Sequence, residues 1–141
     1  MSDNEAARNR PYMLVSAPNQ AGLQFIAELR RKGIDYYALV NNNSGKTRLE
    51  AMGVSRIITV DTADEKSWTP PAVPIGDIYL FEDSFNLSCR YLQICRPWTD
   101  KNIYVVTRRE YSRLTYRALG ANRLIHIHNN DIAFLLDDLQ R

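Results

Sequence analysis

The fold class is indicated by residues 11–42, PYMLVSAPNQAGLQFIAELRRKGIDYYALVNN. It begins with a short apolar run, Tyr12–Val15, which meets a cluster of turn-forming residues. A helical pattern follows and stops at Gly33, and a second apolar run, Tyr36–Val40, ends in three asparagines. Short apolar runs on either side of a helix that ends in glycine are typical of a strand, a helix and a parallel strand. The stretch therefore predicts a βαβ unit.

The rest of the chain continues the same alternation. Further strands are predicted at Arg56–Val60, Asp77–Phe81, Asn102–Thr107 and Arg123–Ile127. Further helices are predicted around Thr47–Met52, Phe85–Cys95, Glu110–Leu119 and Ile132–Leu139, the last capped by Asn130-Asp131. Residues 62–76 hold three of the six prolines and predict an extended crossover with a short turn or helix at Ala63–Trp68. Strands that are apolar runs indicate a parallel sheet covered on both faces. The predicted fold is α/β: a doubly wound, mainly parallel, six-stranded Rossmann-like sheet of order 3-2-1-4-5-6.

The sequence also repeats itself with a constant 67-residue offset. EAMGVSRII (50–58) aligns with RALGANRLI (117–125), so that Gly53 meets Gly120, and DYYALV (35–40) aligns with NIYVVT (102–107). The offset predicts two related halves, about 11–61 and 77–128, like the two mononucleotide-binding halves of a Rossmann fold. Chance similarity between two βαβ units is the alternative, and it predicts the same architecture.

Composition and charge set the broad class. A chain of 141 residues, 45% hydrophobic and 24% charged, predicts one globular domain over 11–141 after a polar, disordered leader at 1–10. No apolar run is long enough to span a membrane and no signal peptide is visible, so we expect a cytoplasmic protein without direct membrane insertion. The net charge of +2 gives no reason to expect nucleic acid as a partner. Cys89 and Cys95 lack zinc-ligand spacing and are predicted to be core thiols.

The first turn holds a damaged phosphate-binding motif. The positions of G-x-G-x-x-G are occupied by Ala17, Asn19 and Gly22, so only the glycine for close helix packing is present. Backbone N–H groups at the helix start still offer an anion site. The two interpretations are a nucleotide phosphate bound at Asn19–Gly22, or a turn that only caps the helix.

Two further strand ends complete the candidate site. Asn41 and Asn42 follow the second strand where an acid for ribose hydroxyls is usual, and the nearby basic residues would tolerate a 2′-phosphate. The alternative is a polar turn with a solvated basic helix. Glu82, Asp83 and Ser84 end the fourth strand and predict either a ribose or base contact or, for Asp83 and Ser84, helix capping. The candidate nucleotide-contacting residues are Ala17, Pro18, Asn19, Gln20, Gly22, Asn41, Asn42, Lys46, Arg48, Asp61, Glu82, Asp83, Asn86 and Arg108.

Catalytic and metal-binding motifs are weak or missing. There is no Tyr-x-x-x-Lys pair, no G-x-S-x-G motif and no Walker loop. His126 and His128 share one face of the last strand, so together they could ligate a metal, and either could be a pH switch. The preferred interpretation is strand-end histidines, one of them covered by the final helix. No metal site is predicted. The cluster of Arg108, Arg109, Arg113 and Arg117 predicts either a contact with an anion or acidic partner, or a solvated helix face.

The second half resembles a known family. FEDSFNLSCRYLQICRP (81–97), IYVVTRR (103–109) and RLTYRALGANRLIHI (113–127) are similar to the N-terminal domain of RCK/TrkA-N proteins, which regulate potassium conductance. The shared features are an acidic turn at Asp83, Asn86-Leu87 at the helix start, and Leu119-Gly120-Ala121 before the last strand. The resemblance covers roughly residues 11–139, and the first half, through ALVNN and LEAMGVSRIITVD, is equally similar to NmrA-like NAD(P)-binding proteins.

The resemblance implies a nucleotide ligand, with an adenine nucleotide or NAD(P) as the candidate cofactor. It also implies dimerisation through the sheet edge and last helices, and a transporter or other regulatory partner in potassium transport. We therefore expect a non-catalytic, nucleotide-sensing regulatory domain. Two alternatives remain: an interaction module that has lost nucleotide binding, and an NAD(P)H-dependent reductase-like protein. The lost glycines and the missing acid at Asn41 depart from the family pattern.

Overall fold

The computed structural model describes residues 10–109, 113–128 and 132–139. The strands are β1 Tyr12–Ser16, β2 Tyr36–Val40, β3 Ile57–Thr59, β4 Ile75–Phe81, β5 Ile103–Thr107 and β6 Arg123–His126. The α-helices are α1 Gln20–Lys32, α2 Asn43–Ala51, α3 Phe85–Cys95, α4 Arg113–Ala118 and α5 Ala133–Leu139. Short 3-10 helices lie at Glu65–Trp68 and Arg96–Trp98.

The six strands form one parallel sheet of order β3-β2-β1-β4-β5-β6. β1 lies at the centre, where Leu14 pairs with Tyr37 of β2 and with Ile78 of β4. The predicted fold class and strand order are confirmed. Because β1 is followed by β2 on one side and bordered by β4 on the other, the topological switch point lies between β1 and β4.

Each face of the sheet carries its own core. On one face Phe25, Ile26 and Leu29 of α1 are fully buried, and Leu135 of α5 joins the same cluster. On the other face the core is formed by α3 and α4, whose fully buried side chains are Leu92, Cys95 and Tyr116. A strand that is covered on both faces needs apolar side chains on both faces, and its sequence is therefore a continuous apolar run.

Several element boundaries differ from the prediction by one or more residues. α2 begins at Asn43 and not near Thr47, because the Asn42 side chain caps it: the Gly45 N–H donates to Asn42 Oδ1 at 2.7 Å. β4 begins at Ile75, two residues before the predicted start. Pairing extends there because the Tyr12 N–H donates to the Pro74 carbonyl at 2.9 Å. β3 is shorter than predicted and spans only Ile57–Thr59.

Several predictions lie outside the described residues. They include nearly all of the leader at 1–10, the start of the fourth helix at Glu110, and the Asn130-Asp131 cap. The single-domain boundary and the disordered leader stay predictions. Among the described residues, no helix is both long and apolar enough to cross a membrane.

The helices that precede β3 and β6 end in similar glycine corners. Gly53 and Gly120 both have left-handed backbones, with φ of 91° and 113°. An arginine from the end of the preceding helical segment covers each corner: Arg30 donates to the Met52 carbonyl, and Arg96 donates to the Gly120 carbonyl at 2.8 Å. Arg96 also donates to Asn122 Oδ1 and to the Thr99 and Lys101 carbonyls at 2.7–3.0 Å.

The 67-residue offset found in the sequence carries β2 onto β5, with the first and last residues of the two strands in register. It carries β3 into β6 and Gly53 onto Gly120. The relation between the two halves remains a prediction, but positions related by the offset occupy equivalent places in these elements.

Candidate functional site

A cleft of about 270 Å³ opens at the carboxyl ends of β1 and β2. Its walls come from the first turn, the start of α2, and the side of α3 that faces them. The lining residues are Ser16, Ala17, Pro18, Leu39, Val40, Asn41, Asn42, Ser44, Gly45, Arg48, Leu49, Asp83, Leu87 and Tyr91. This is the edge of the sheet at which doubly wound folds bind their ligands.

The first turn is closed by the Asn19 side chain. As the N-cap of α1, Asn19 accepts the Gly22 N–H on Oδ1 at 2.9 Å. Its Nδ2 donates to the backbone carbonyl of Glu82 at 2.9 Å. A Cβ at Gly22 would lie 2.7 Å from the Ala17 Cα, so glycine is required there for the close approach of α1 to the turn.

The end of β2 supplies uncharged polar groups. Asn42 caps α2 with Oδ1, and its Nδ2 donates to Asn41 Oδ1 at 3.0 Å. One turn along α2, Arg48 is exposed and lines the cleft. Within the described part of the chain, its guanidinium forms no hydrogen bond or ion pair, so it is available to an anion.

Part of the cleft lining is buried and polar. Ser16 and Tyr91 are only 2% and 3% exposed. Burial raises the pKa of Tyr91, and its hydrogen bond to Ser16 opposes that rise. The Tyr91 hydroxyl therefore remains protonated at neutral pH and can act as a hydrogen-bond donor.

The opposite wall begins where β4 ends. Asp83 lines the cleft with an exposed carboxylate. Ser84 caps α3 by accepting the Leu87 N–H on Oγ at 3.1 Å, as predicted for a helix start with this sequence. Leu87 and Tyr91, one turn apart on α3, present the same face to the cleft.

The ends of β4 and β5 are linked by a polar network. Thr107 Oγ1 donates to Glu82 Oε1 at 2.7 Å, and the Tyr116 hydroxyl of α4 donates to Glu82 Oε2. Burial and the Glu82 charge raise the pKa of Tyr116. Burial, with a smaller effect of the same carboxylate, raises the pKa of the Cys89 thiol.

The structure divides the predicted site residues into two groups. Ala17, Pro18, Asn41, Asn42, Arg48 and Asp83 line the cleft. Asn19, Gln20, Gly22, Lys46, Asp61, Glu82, Asn86 and Arg108 are outside its lining. Asp61 instead holds the turn that follows β3, where its Oδ1 accepts the Ala63 N–H and its carbonyl accepts the Trp68 Nε1–H, both at 2.9 Å.

The sequence prediction missed part of the lining. Tyr91 and Leu87 carried a usable signal, because their spacing of four places them on one helix face. The sequence around Ser16 indicates only the end of a strand. Its partner Tyr91 belongs to a helix in the other half of the chain, so no local sequence pattern predicts their contact.

The two histidines are close in space. Their rings lie 5.0 Å apart in an edge-to-face arrangement. His126 Nε2 is 2.9 Å from the Arg108 carbonyl, which accepts a hydrogen bond from the Nε2–H tautomer. Among the described residues, no group of three or more His, Cys, Asp or Glu side chains is placed to hold a metal ion.

The parallel, doubly wound sheet and the cleft beside its switch point define a Rossmann-type α/β domain. No protein-family model matches the chain, and no curated protein matches it significantly. Solved structures do match. The NAD(P)-binding domain of an exopolyphosphatase-related protein from Archaeoglobus fulgidus is 17% identical with a TM-score of 0.70, over 93% of this chain and 98% of that one.

Two further structures are similar. The TrkA-N domain of the inner membrane protein ybaL from Escherichia coli is 15% identical with a TM-score of 0.66, over 92% of this chain and 96% of that one. A GsuK channel bound to NAD is 15% identical with a TM-score of 0.64, over 82% of this chain and 21% of that one. At these identities the likeness is one of fold. The predicted resemblance to TrkA-N and NAD(P)-binding domains is confirmed at that level.

Proposed function

We propose that the chain is a non-catalytic regulatory domain that senses a nucleotide in the cleft beside Arg48. The observation that carries this proposal is the open cleft at the carboxyl ends of β1 and β2, whose wall holds an arginine guanidinium with no hydrogen bond or ion pair among the described residues. The similar solved structures include NAD(P)-binding domains and a channel bound to NAD, which supports a nucleotide as the ligand.

The lining suits the parts of a nucleotide. Leu39, Leu49 and Leu87 offer apolar surface for a base. The Asn41 amide can hydrogen-bond ribose hydroxyls without repelling a phosphate, and the Arg48 guanidinium can bind phosphate oxygens in a bidentate manner. The lack of an acid at the end of β2 favours a phosphorylated ribose or a mononucleotide phosphate over the plain ribose of NAD.

Regulation requires a partner that responds to occupancy. We propose a dimer mate or a transport protein, including one for potassium, because two similar structures belong to an inner membrane protein and a channel. Leu114 of α4 is 83% exposed and Phe134 of α5 is 44% exposed, so both helices offer apolar contacts. Sedimentation of the wild type and Leu114→Glu tests the dimer: a monomeric variant supports this surface, and a monomeric wild type contradicts it.

A second candidate function is an interaction module that keeps the fold without a nucleotide. The observation in its favour is the Asn19 side chain, which occupies the Gly22 N–H that a phosphate would use. No described feature favours the reductase-like alternative.

Calorimetry and thermal unfolding with AMP, ADP, ATP, GDP, NAD⁺, NADH and NADP⁺ test the proposal. A nucleotide at 100 times its dissociation constant should add about 2.7 kcal/mol of stability. Arg48→Ala should weaken that nucleotide at least about tenfold, the loss of a charge-assisted contact. Arg117→Ala, an exposed arginine on α4, is the matched control and should not change affinity. If no nucleotide at millimolar concentration moves the melting temperature, the interaction module is the better account.

A further inference from the structure

The switch point is bridged by a side chain. Asn19 occupies the position of the second motif glycine and joins the start of α1 to the Glu82 carbonyl at the end of β4. In this fold class a dinucleotide lays its pyrophosphate across the gap between β1 and β4, against backbone that the second glycine leaves bare. The Asn19 amide lies across that path and uses the N–H of Gly22.

Beyond the bridge, the space between the ends of β4 and β5 is filled. Tyr116 is fully buried and Thr107 is 3% exposed, and both donate to the Glu82 carboxylate. The Arg109 N–H donates to Thr107 Oγ1 at 2.9 Å, so the loop after β5 is tied to the same network. These hydrogen bonds tie the ends of β4 and β5 to α4 and to the residues that follow β5.

The 67-residue offset identifies the residues of the first half that correspond to this network. It relates Glu82, Thr107 and Tyr116 to Val15, Val40 and Leu49 in the first half. All three residues of the first half are buried and apolar, and Val40 and Leu49 line the open cleft. The first half therefore has an apolar-walled cleft where the second half has a carboxylate held by two hydroxyls.

The size of the cleft agrees with this difference. The cleft holds about 270 Å³. Small-molecule sites in proteins run from about 300 to 1,000 Å³, so this cleft lies just below the small end of that range.

We propose that the site takes a single nucleotide, a nucleoside with its own phosphates, and excludes dinucleotides. Asn19 is the specificity-determining residue, because its side chain closes the crossing between the two halves. Glu82, Thr107 and Tyr116 keep the second half-site shut. This inference rests on the proposed nucleotide-sensing function and narrows its ligand class.

The experiment compares ADP with NAD⁺ by calorimetry on the full chain, because NAD⁺ contains the whole ADP moiety and adds only the second nucleoside. AMP, ATP and GDP are run beside them. We expect one of the mononucleotides to bind and NAD⁺ to bind at least about tenfold more weakly than that mononucleotide, a difference that calorimetry resolves readily.

Asn19→Ser tests the bridge without removing the helix cap. Serine caps α3 of this chain in the same way, but its hydroxyl is too short to reach the Glu82 carbonyl. We expect the variant to raise NAD⁺ affinity relative to ADP by at least about fivefold, a change on the scale of one hydrogen bond. Asn102→Ser, an exposed asparagine at the opposite edge of the sheet, should leave the ratio unchanged.

The outcomes separate the two proposals. If NAD⁺ binds the wild type at least as tightly as every mononucleotide, the mononucleotide assignment is overturned. The proposed nucleotide-sensing function is not affected by that result. If the wild type prefers the mononucleotide and Asn19→Ser has the same ratio of NAD⁺ to ADP affinity as the wild type, Asn19 is not the barrier. Binding by none of the nucleotides overturns the sensing function and this inference with it.

Discussion

The two halves of the sheet have equivalent elements, but the groups at their carboxyl edges differ. At the carboxyl edge of the first half a cleft is open, and Arg48 in its wall forms no hydrogen bond or ion pair with any described residue. At the same edge of the second half, Thr107 and Tyr116 both donate to the Glu82 carboxylate. The glycine corners repeat the contrast: Arg30 makes one hydrogen bond at its corner, whereas Arg96 makes four.

This difference shows how one architecture can separate binding from support. Polar groups that are not satisfied by the protein are available to a ligand, whereas a fully bonded network rigidifies the region that contains it. We infer that the second half serves mainly as the rigid support, while the first half supplies most of the cleft lining.

Gly120→Ala should cause the largest loss of stability, about 3 kcal/mol. Alanine is strained at φ of 113°, and its Cβ would lie 2.5 Å from the Cδ of Arg96, whose guanidinium is fixed by its bonds. At Gly53 the corresponding contact is with Arg30 Nη2 at 2.8 Å, the free end of a flexible side chain, so Gly53→Ala should cost less. Urea unfolding measures both.

Gly33→Ala is the control for backbone strain alone. Its φ is 72° and nothing lies within 4 Å of an added Cβ, so the expected cost is about 1 kcal/mol. If Gly53→Ala and Gly120→Ala destabilise equally, the two corners do not differ as the hydrogen bonds indicate.

Tyr116→Phe should destabilise the protein by about 2 kcal/mol, because it removes a buried donor to a carboxylate. Tyr91→Phe removes a neutral hydroxyl pair with Ser16 in the first half and should cost about 1 kcal/mol. Chemical unfolding of the two variants under one set of conditions makes the comparison. The reverse order would show that the Glu82 network is not the stronger of the two.

Alkaline pH should weaken the folded state, through Tyr116 in the second half and Tyr91 beside the cleft. Burial raises the pKa of both above the ordinary value of 10.0, and the Glu82 charge adds to the rise at Tyr116. The folded protein keeps protons that the unfolded chain releases, so this contribution is complete below about pH 10 and is lost as the pH rises. One such group changes the free energy of unfolding by up to about 1.4 kcal/mol per pH unit.

Unfolding of the wild type, Tyr116→Phe and Tyr91→Phe between pH 9 and 11 measures this slope. Each variant should lose stability less steeply than the wild type, because one of the two titrating hydroxyls is gone. Identical curves for the wild type and Tyr116→Phe would mean that the Tyr116 hydroxyl titrates alike in the folded and unfolded states.

Arg48→Ala should have the smallest effect on stability, within about 0.5 kcal/mol, because it shortens an exposed side chain that forms no hydrogen bond within residues 10–109, 113–128 and 132–139. Arg117→Ala, in the second half, should change stability by an equally small amount. A loss above about 1 kcal/mol on Arg48→Ala alone would assign Arg48 a structural role and weaken its place in the cleft.

Local pattern was sufficient to predict the fold. The apolar runs, the glycine stops at Gly33, Gly53 and Gly120, and the polar turns between them act within a few residues, so the order of strands and helices followed from the sequence. The start of α2 was placed too late because the Asn42 cap precedes a polar segment of low apolar content.

The site depended on contacts that local pattern does not contain. Asn19 reaches a carbonyl 63 residues away, and Tyr116 reaches a carboxylate 34 residues away. Glu82 and Asp83 are adjacent in the sequence, yet one is engaged in the second half and the other lines the first-half cleft. Only the packed structure separates the two carboxylates.

The central ladder has a consequence for assembly. The halves meet along β1 and β4, where Tyr12 pairs with Ile75 and Leu14 with Ile78, although these partners lie far apart in the sequence. The ladder and the packing of Phe25 against Tyr79 and Phe81 join the two halves, and we expect the crossover at 62–74 to act as a tether that sets their effective concentration. Lengthening that tether with flexible residues should cost only about 0.6 kcal/mol for each doubling.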